Sequence, residues 1–109
     1  MLPWGDGVVA GTYHGGLSFF DGRAFRIERE GPAPSGIPSG WVNPHAMRRI
    51  GDALYIGTLD RGLVVGRPGA WTRMTTTDGL PSNDVTAVLP ADDGSVWVGT
   101  RGGLARIAR

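Results

Sequence analysis

The stretch GLPSNDVTAVLPADDGSVWVGTRGGL, residues 79–104, decides the fold. Gly79, Leu80 and Pro81 with Ser82 and Asn83 form a breaker cluster, and Val85 to Leu89 is a short apolar run. Asp92-Asp93-Gly94-Ser95 is a turn signal, Ser95 to Thr100 is rich in Val and Trp, and Gly102-Gly103 turns the chain again. The phrase reads as turn, strand, tight turn, strand, tight turn.

Working outward, the same phrase recurs. Its tail stands as VVAGTYHGGL ending at Leu17, LYIGTLDRGL ending at Leu63 and VWVGTRGGL ending at Leu104. Gly11-Thr12, Gly57-Thr58 and Gly99-Thr100 fall in register, 46 and then 42 positions apart. Ala24-Phe25 matches Ala70-Trp71 at the same offset of 46, and Gly36-Ile37-Pro38-Ser39 matches Gly79-Leu80-Pro81-Ser82. A period in the forties with about four short strands per unit is that of a β-propeller blade. Helical repeats of similar length need 3.6-residue apolar patterns, which are absent.

Read in order, Leu2-Pro3-Trp4 is the end of a first strand, followed by strands at Val8–Tyr13, Leu17–Phe20 and Ala24–Glu28. Asp21-Gly22 is a two-residue hairpin signal. After a Pro/Gly/Ser-rich connection, Trp41–Ile50 holds the next first strand, with Pro44 limiting how early it pairs. Ala53–Leu59, Leu63–Val65 and Trp71–Thr75 complete that blade. Val85–Leu89, Ser95–Thr100 and Leu104–Ile107 begin another. The expectation is an all-β chain of about two and a half antiparallel blades, strands grouped three, four, three. Residues 1–30 form a partial blade, 36–77 a full one and 78–109 a second partial one. An open stack leaves two apolar faces uncovered, since propellers close with about 4–8 blades. The partners expected on that ground are further blades, in a longer parent chain or in other copies of this chain.

Composition excludes several classes. Nineteen glycines and eight prolines exclude a helical bundle. A net charge of +1 gives no footprint for nucleic acid, and no apolar run is long enough to insert in a membrane as a helix. Without cysteine there is no disulfide or thiolate metal site. No cofactor or metal site is expected.

At the residues of the phrase the chain resembles a known family, the propeller repeat of two-component regulators. The likeness is close from Asp78 to Ile107, good for Ala53 to Thr77 and looser for Gly5 to Glu28. Such repeats stand in tandem in the sensor regions of bacterial hybrid histidine kinases and related ligand-binding sensor proteins. The resemblance implies a multi-bladed sensor propeller in signal transduction, extracytoplasmic or periplasmic, without catalysis.

The residues themselves point the same way. The Gly-Thr steps lack a Walker lysine and a following helix, so they read as turns in which Thr caps and Gly supplies positive φ. The Asp92-x-Gly94 spacing lacks the Ser and Thr of an Asp-box. Trp71 and Trp97 sit inside strands and are expected in packing between blades, whereas Trp41 sits in a loop and is the better candidate for a ligand contact. Turns after second strands and loops entering first strands are expected on one face, where the copies differ. That places Tyr13, His14, Trp41, His45, Asp60, Arg61, Asn83, Asp84 and Arg101 on an exposed rim suited to a small molecule or carbohydrate. Two alternatives stand beside this reading: a structural or interaction segment that self-associates to close a ring, and a lyase or hydrolase using His14 and His45.

Overall fold

The computed structural model describes residues 2–12, 16–28, 41–67 and 70–108. Tyr13, His14 and the connection over 30–40 lie outside them, so the expectations placed there are not addressed. Three antiparallel sheets follow one another along the chain. The first joins β1 (Leu2–Trp4), β2 (Gly7–Thr12), β3 (Gly16–Phe20) and β4 (Phe25–Glu28) in sequence order. The second joins β5 (Val42–Ile50), β6 (Ala53–Thr58), β7 (Leu63–Arg67) and β8 (Ala70–Met74) in the same way. The third holds β9 (Val85–Pro90), β10 (Val96–Thr100) and β11 (Gly103–Ile107). The first sheet therefore counts four strands where the spacing predicts three, because Leu2–Trp4 pairs with Gly7–Val9.

The turn chemistry sets these registers. Gly51-Asp52 is a two-residue turn between the paired Ile50 and Ala53, and Gly51 takes φ 65°, which an L side chain resists. Asp21-Gly22 is not the two-residue hairpin its text suggests. Phe20 pairs with Phe25, so four residues turn, and Asp21 Oδ1 accepts from the N–H groups of Arg23 and Ala24, both at 2.9 Å. The turn at 91–95 uses Asp93 rather than Asp92. Asp93 Oδ1 accepts from Ser95 N–H at 3.0 Å and from the Ser95 hydroxyl. These bonds, with Arg106 adding its charge, hold the Asp93 carboxyl below its ordinary value of 3.8.

The first strands are irregular where they enter the blades. Val42 pairs with Thr58 and Met47 with Ile56, so four residues, Asn43 to Ala46, stand opposite Gly57 alone. Pro44, which has no N–H to give a ladder, falls inside this bulge. In the third sheet the same place holds a single extra residue, Thr86, between the pairs Val85–Thr100 and Ala87–Gly99. A 3-10 turn at Thr76–Asp78 links the second sheet to the third. A capping box holds it, with Thr75 and Asp78 each accepting a backbone N–H.

The sheets stack face to face as blades, with one apolar core in each gap. Val9, Leu17 and Phe19 of the first sheet meet Leu54, Ile56, Val64 and Trp71 of the second. The second sheet's other face, Tyr55 and Leu63, meets Val85, Val88, Val96 and Val98. Leu54-Tyr55-Ile56 is thus buried on both faces, as its unbroken apolar text requires. The outer faces differ. Leu17 and Leu63 are fully buried, yet their counterpart Leu104 is 65 % exposed. Trp71 is buried, whereas its counterpart Phe25 is 74 % exposed. Each side chain repeats, and only its cover is missing. Burial of such a side chain contributes about 1.5–3 kcal/mol, so the two inner gaps supply most of the stabilisation.

The repeated glycines explain how closely the blades approach. A Cβ on Gly11 would lie 2.5 Å from Met47 Sδ and 2.7 Å from Val42 Cγ1. A Cβ on Gly57 would lie 2.6 Å from Ala46 Cβ and 2.8 Å from Val85 Cγ1. These glycines are needed for space, not for positive φ, which corrects the turn reading of the Gly-Thr step. Positive φ belongs instead to the glycine of the following Gly-Leu step, Gly16, Gly62 and Gly103.

Candidate functional site

One edge of the blades gathers most of the residues that vary between copies. It is built first by the three threonines. Thr12, Thr58 and Thr100 each donate a hydroxyl to the carbonyl of Gly16, Gly62 and Gly103, at 3.3, 2.6 and 2.7 Å. Thr58 Oγ1 also accepts from Arg61 N–H at 3.0 Å, and Thr100 Oγ1 from Gly102 N–H at 3.2 Å. The hydroxyls therefore shape the turns that carry Asp60, Arg61 and Arg101.

Backbone bonds then draw the strand entrances against those turns. Leu59 N–H donates to Trp41 O at 2.9 Å, and Arg101 N–H to Asp84 O at 3.1 Å. Gly62 N–H reaches across the gap to Asn83 O at 2.8 Å, tying the second blade's turn to the third blade's entrance. Trp41, Asp60, Arg61, Asn83, Asp84 and Arg101 are so joined along one rim. His45 follows in the bulge of β5, exposed, its N–H donated to Asn43 Oδ1 at 3.0 Å. Asn43 Nδ2 in turn donates to Val85 O at 3.1 Å, which pins the bulge to the next blade. Tyr13 and His14 lie outside the described residues.

The rim residues differ in what their side chains have left to offer. Asn83 is half-buried, and its Oδ1 accepts from Thr76 N–H at 2.9 Å, so it holds the 3-10 turn. Asp84 is half-buried too, its carboxylate 3.7 Å from Arg101 Nε. Asp60 and Arg61 are exposed and, among the described residues, enter no ion pair with each other. Asp60 sits at φ 72°, a left-handed conformation that Asp tolerates better than most side chains.

Trp41, Leu59, Asp60 and Arg61 line a shallow cleft of about 360 Å³. Leu59, the end of an expected strand, leads into the turn that varies between copies. Its place beside Trp41 comes from the backbone bond that joins them, which no local pattern announces. The cleft offers an aromatic ring, an aliphatic wall, a carboxylate and a guanidinium. Among the described residues, no group of three or more His, Asp or Glu side chains is placed to hold a metal ion. The other tryptophans stand away from it. Trp71 packs between the first two sheets, and Trp97 lies half-buried on the outer face of the third, with the Arg106 guanidinium 5.6 Å from its ring centre.

Three consecutive antiparallel sheets, stacked through apolar faces and repeating one turn at one edge, define an open run of β-propeller blades. Residues 79–102 match the model of the two component regulator propeller family, and that stretch is a repeat of this kind. The other two copies carry its Gly-Thr and Gly-Leu landmarks at equivalent places, Gly11–Leu17 and Gly57–Leu63 being paired as Gly99–Leu104 is. No curated protein matches the chain.

Proposed function

We propose that the chain is a non-catalytic, ligand-sensing segment of a β-propeller, and that its recognition edge is the cleft of Trp41, Asp60 and Arg61. The observation that carries this reading is the division of labour between repeated and varied residues. Thr58, Gly62 and Leu63 repeat and are consumed in turn geometry and packing, while Trp41, Asp60 and Arg61 vary and face solvent. A ring face beside hydrogen-bonding groups suits a small polar ligand with an apolar face, and a carbohydrate is the class with that chemistry. The location that goes with a sensor of this type is extracytoplasmic.

The test is a calorimetric titration with a panel of mono- and oligosaccharides. Trp41→Ala and Asp60→Ala are each expected to weaken binding of a captured sugar about tenfold, the equivalent of about 1.4 kcal/mol. Binding unchanged by both substitutions, or chemical turnover of the bound sugar, would sink the reading.

A further inference from the structure

A second cleft lies at the opposite edge of the blades, where first strands turn into second strands. Trp4, Gly5, Arg49, Gly51, Asp52 and Arg67 line it, and its volume is about 440 Å³. Trp4 is half-buried and packs against the core shared by the first two sheets. Arg49 pairs with Leu54, a member of that core, so it faces the same gap from the second sheet. Gly5 and Gly51 take φ 57° and 65° in the turns that bound the cleft, and neither has a side chain to cover it. The first and second blades supply every lining residue, so the cleft is complete without a further blade.

Packing does not account for its side chains. The residues opposite Val9, Tyr55 and Trp97 are Leu2, Arg48 and Leu89. One place further on, the copies read Pro3, Arg49 and Pro90, and at the next place Trp4, Ile50 and Ala91. Four places after the repeated leucine they read Asp21, Arg67 and Ala108. Proline and a small or aliphatic residue serve the other copies, so the indole and the two guanidinium groups are additions at this gap. The two arginines are unequally engaged. Arg67 Nη2 lies 3.2 Å from Asp52 Oδ2, whereas Arg49 is exposed and, among the described residues, enters no ion pair. Asp6, beside Gly5, does not line the cleft.

We infer that this cleft binds a small aromatic carboxylate, its ring laid on Trp4 and its carboxylate held by the Arg49 guanidinium. A guanidinium and a carboxylate match in a two-bond fork, and a ring beside an indole gains contact that a bare anion lacks. Asp52 offsets the charge of Arg67, so Arg49 is the anchor of the anion. The ligand is therefore a monoanion with a flat apolar body. The cleft shares no residue with the rim, so it stands or falls apart from the function proposed there.

The probe is benzoate, titrated into the full chain and followed by the chemical shifts of amide and indole N–H groups. The signals of Gly5, Gly51 and the Trp4 indole should move together and saturate, while those of Asp60 and Arg61 stay in place. Arg49→Gln should weaken binding about tenfold, through loss of one charge-assisted fork. Trp4→Ile installs the residue that the second copy holds at that place, and should weaken binding about fivefold. Trp41→Ala, at the rim, should leave it unchanged. Benzamide, the neutral analogue, and inorganic phosphate, the bare anion, should leave the three signals in place where benzoate saturates them. The inference is overturned if benzoate moves none of the three, or if benzamide or phosphate moves them equally well. Unchanged affinity in both Arg49→Gln and Trp4→Ile would overturn it too. So would shifts gathered at the rim and abolished by Trp41→Ala, which would place the carboxylate in the other cleft.

Discussion

Replacing Gly57 by Ala isolates the close approach of two blades from every other property of glycine. Gly57 lies in an extended strand at negative φ, so alanine there meets no backbone penalty. Its Cβ would meet Ala46 Cβ at 2.6 Å, which no side-chain torsion moves, and Val85 Cγ1 at 2.8 Å, whose rotation about χ1 would still leave Val85 Cβ at 3.1 Å. Overpacking of that kind costs about 1–3 kcal/mol. Against it stands the entropy that alanine removes from the unfolded chain, about 0.4–1 kcal/mol in the stabilising direction. Gly99→Ala carries the same entropic gain, while its nearest contact is an ordinary 3.4 Å. Subtracting one variant from the other cancels the entropic part and leaves the contact, about 1–3 kcal/mol. Urea unfolding followed by tryptophan fluorescence reads it: with a slope of roughly 1–3 kcal/mol per molar urea, the two midpoints separate by on the order of 1 M. Gly57→Ala should fall below the parent and Gly99→Ala at or above it. Equal midpoints for the two variants would refute the reasoning, because the hollow would then have no energetic meaning.

Thr58→Val removes a buried hydroxyl that bonds Gly62 O and Arg61 N–H, and should lower stability by about 1–3 kcal/mol in thermal melts. Thr100→Val, whose hydroxyl bonds are exposed, should cost less than half as much. Asp93 should titrate below 3.8 in carboxyl NMR, and Ser95→Ala should raise it, since the Ser95 hydroxyl is the largest cause of the depression. With the folded value depressed, the carboxylate stabilises the fold above the unfolded pKa and loses that contribution as pH falls through the folded value. The loss should be smaller in Ser95→Ala.

The blades were legible because packing between them repeats, and repetition shows in text as Gly-Thr and Gly-Leu at fixed distances. The two-residue turn at Gly51-Asp52 was legible too, because its positive φ calls for glycine, whereas the Asp21-Gly22 text announced a turn but not its four-residue length. What was not legible depends on partners far along the chain. Gly57 reads equally as a turn glycine or as a spacer, and only Val85 opposite it decides. The four-stranded first sheet rests on three residues at its edge, too short a run to carry a period of its own. The 3-10 turn at Thr76–Asp78 had a readable signal, the Thr75-to-Asp78 capping spacing, that the strand pattern overshadowed. At the rim, the nearness of Trp41 to Asp60 and of Gly62 to Asn83 is fixed by backbone bonds between segments, whereas Tyr13 and His14 lie outside the described residues.

The bulge at the entrance of β5 has a consequence for how such a chain tolerates change in length. The second blade's entrance is two residues longer than the third's, yet Val42 and Val85 reach the same place beside Thr58 and Thr100. The strand takes up slack at Pro44 and His45, while Asn43 on one side and buried Ala46 on the other keep their anchors. Length is therefore free where register is not. A peptide or reporter grafted between Pro44 and His45 would lengthen a loop near the Trp41 cleft and leave every pair of the ladder from Met47 onward where it was.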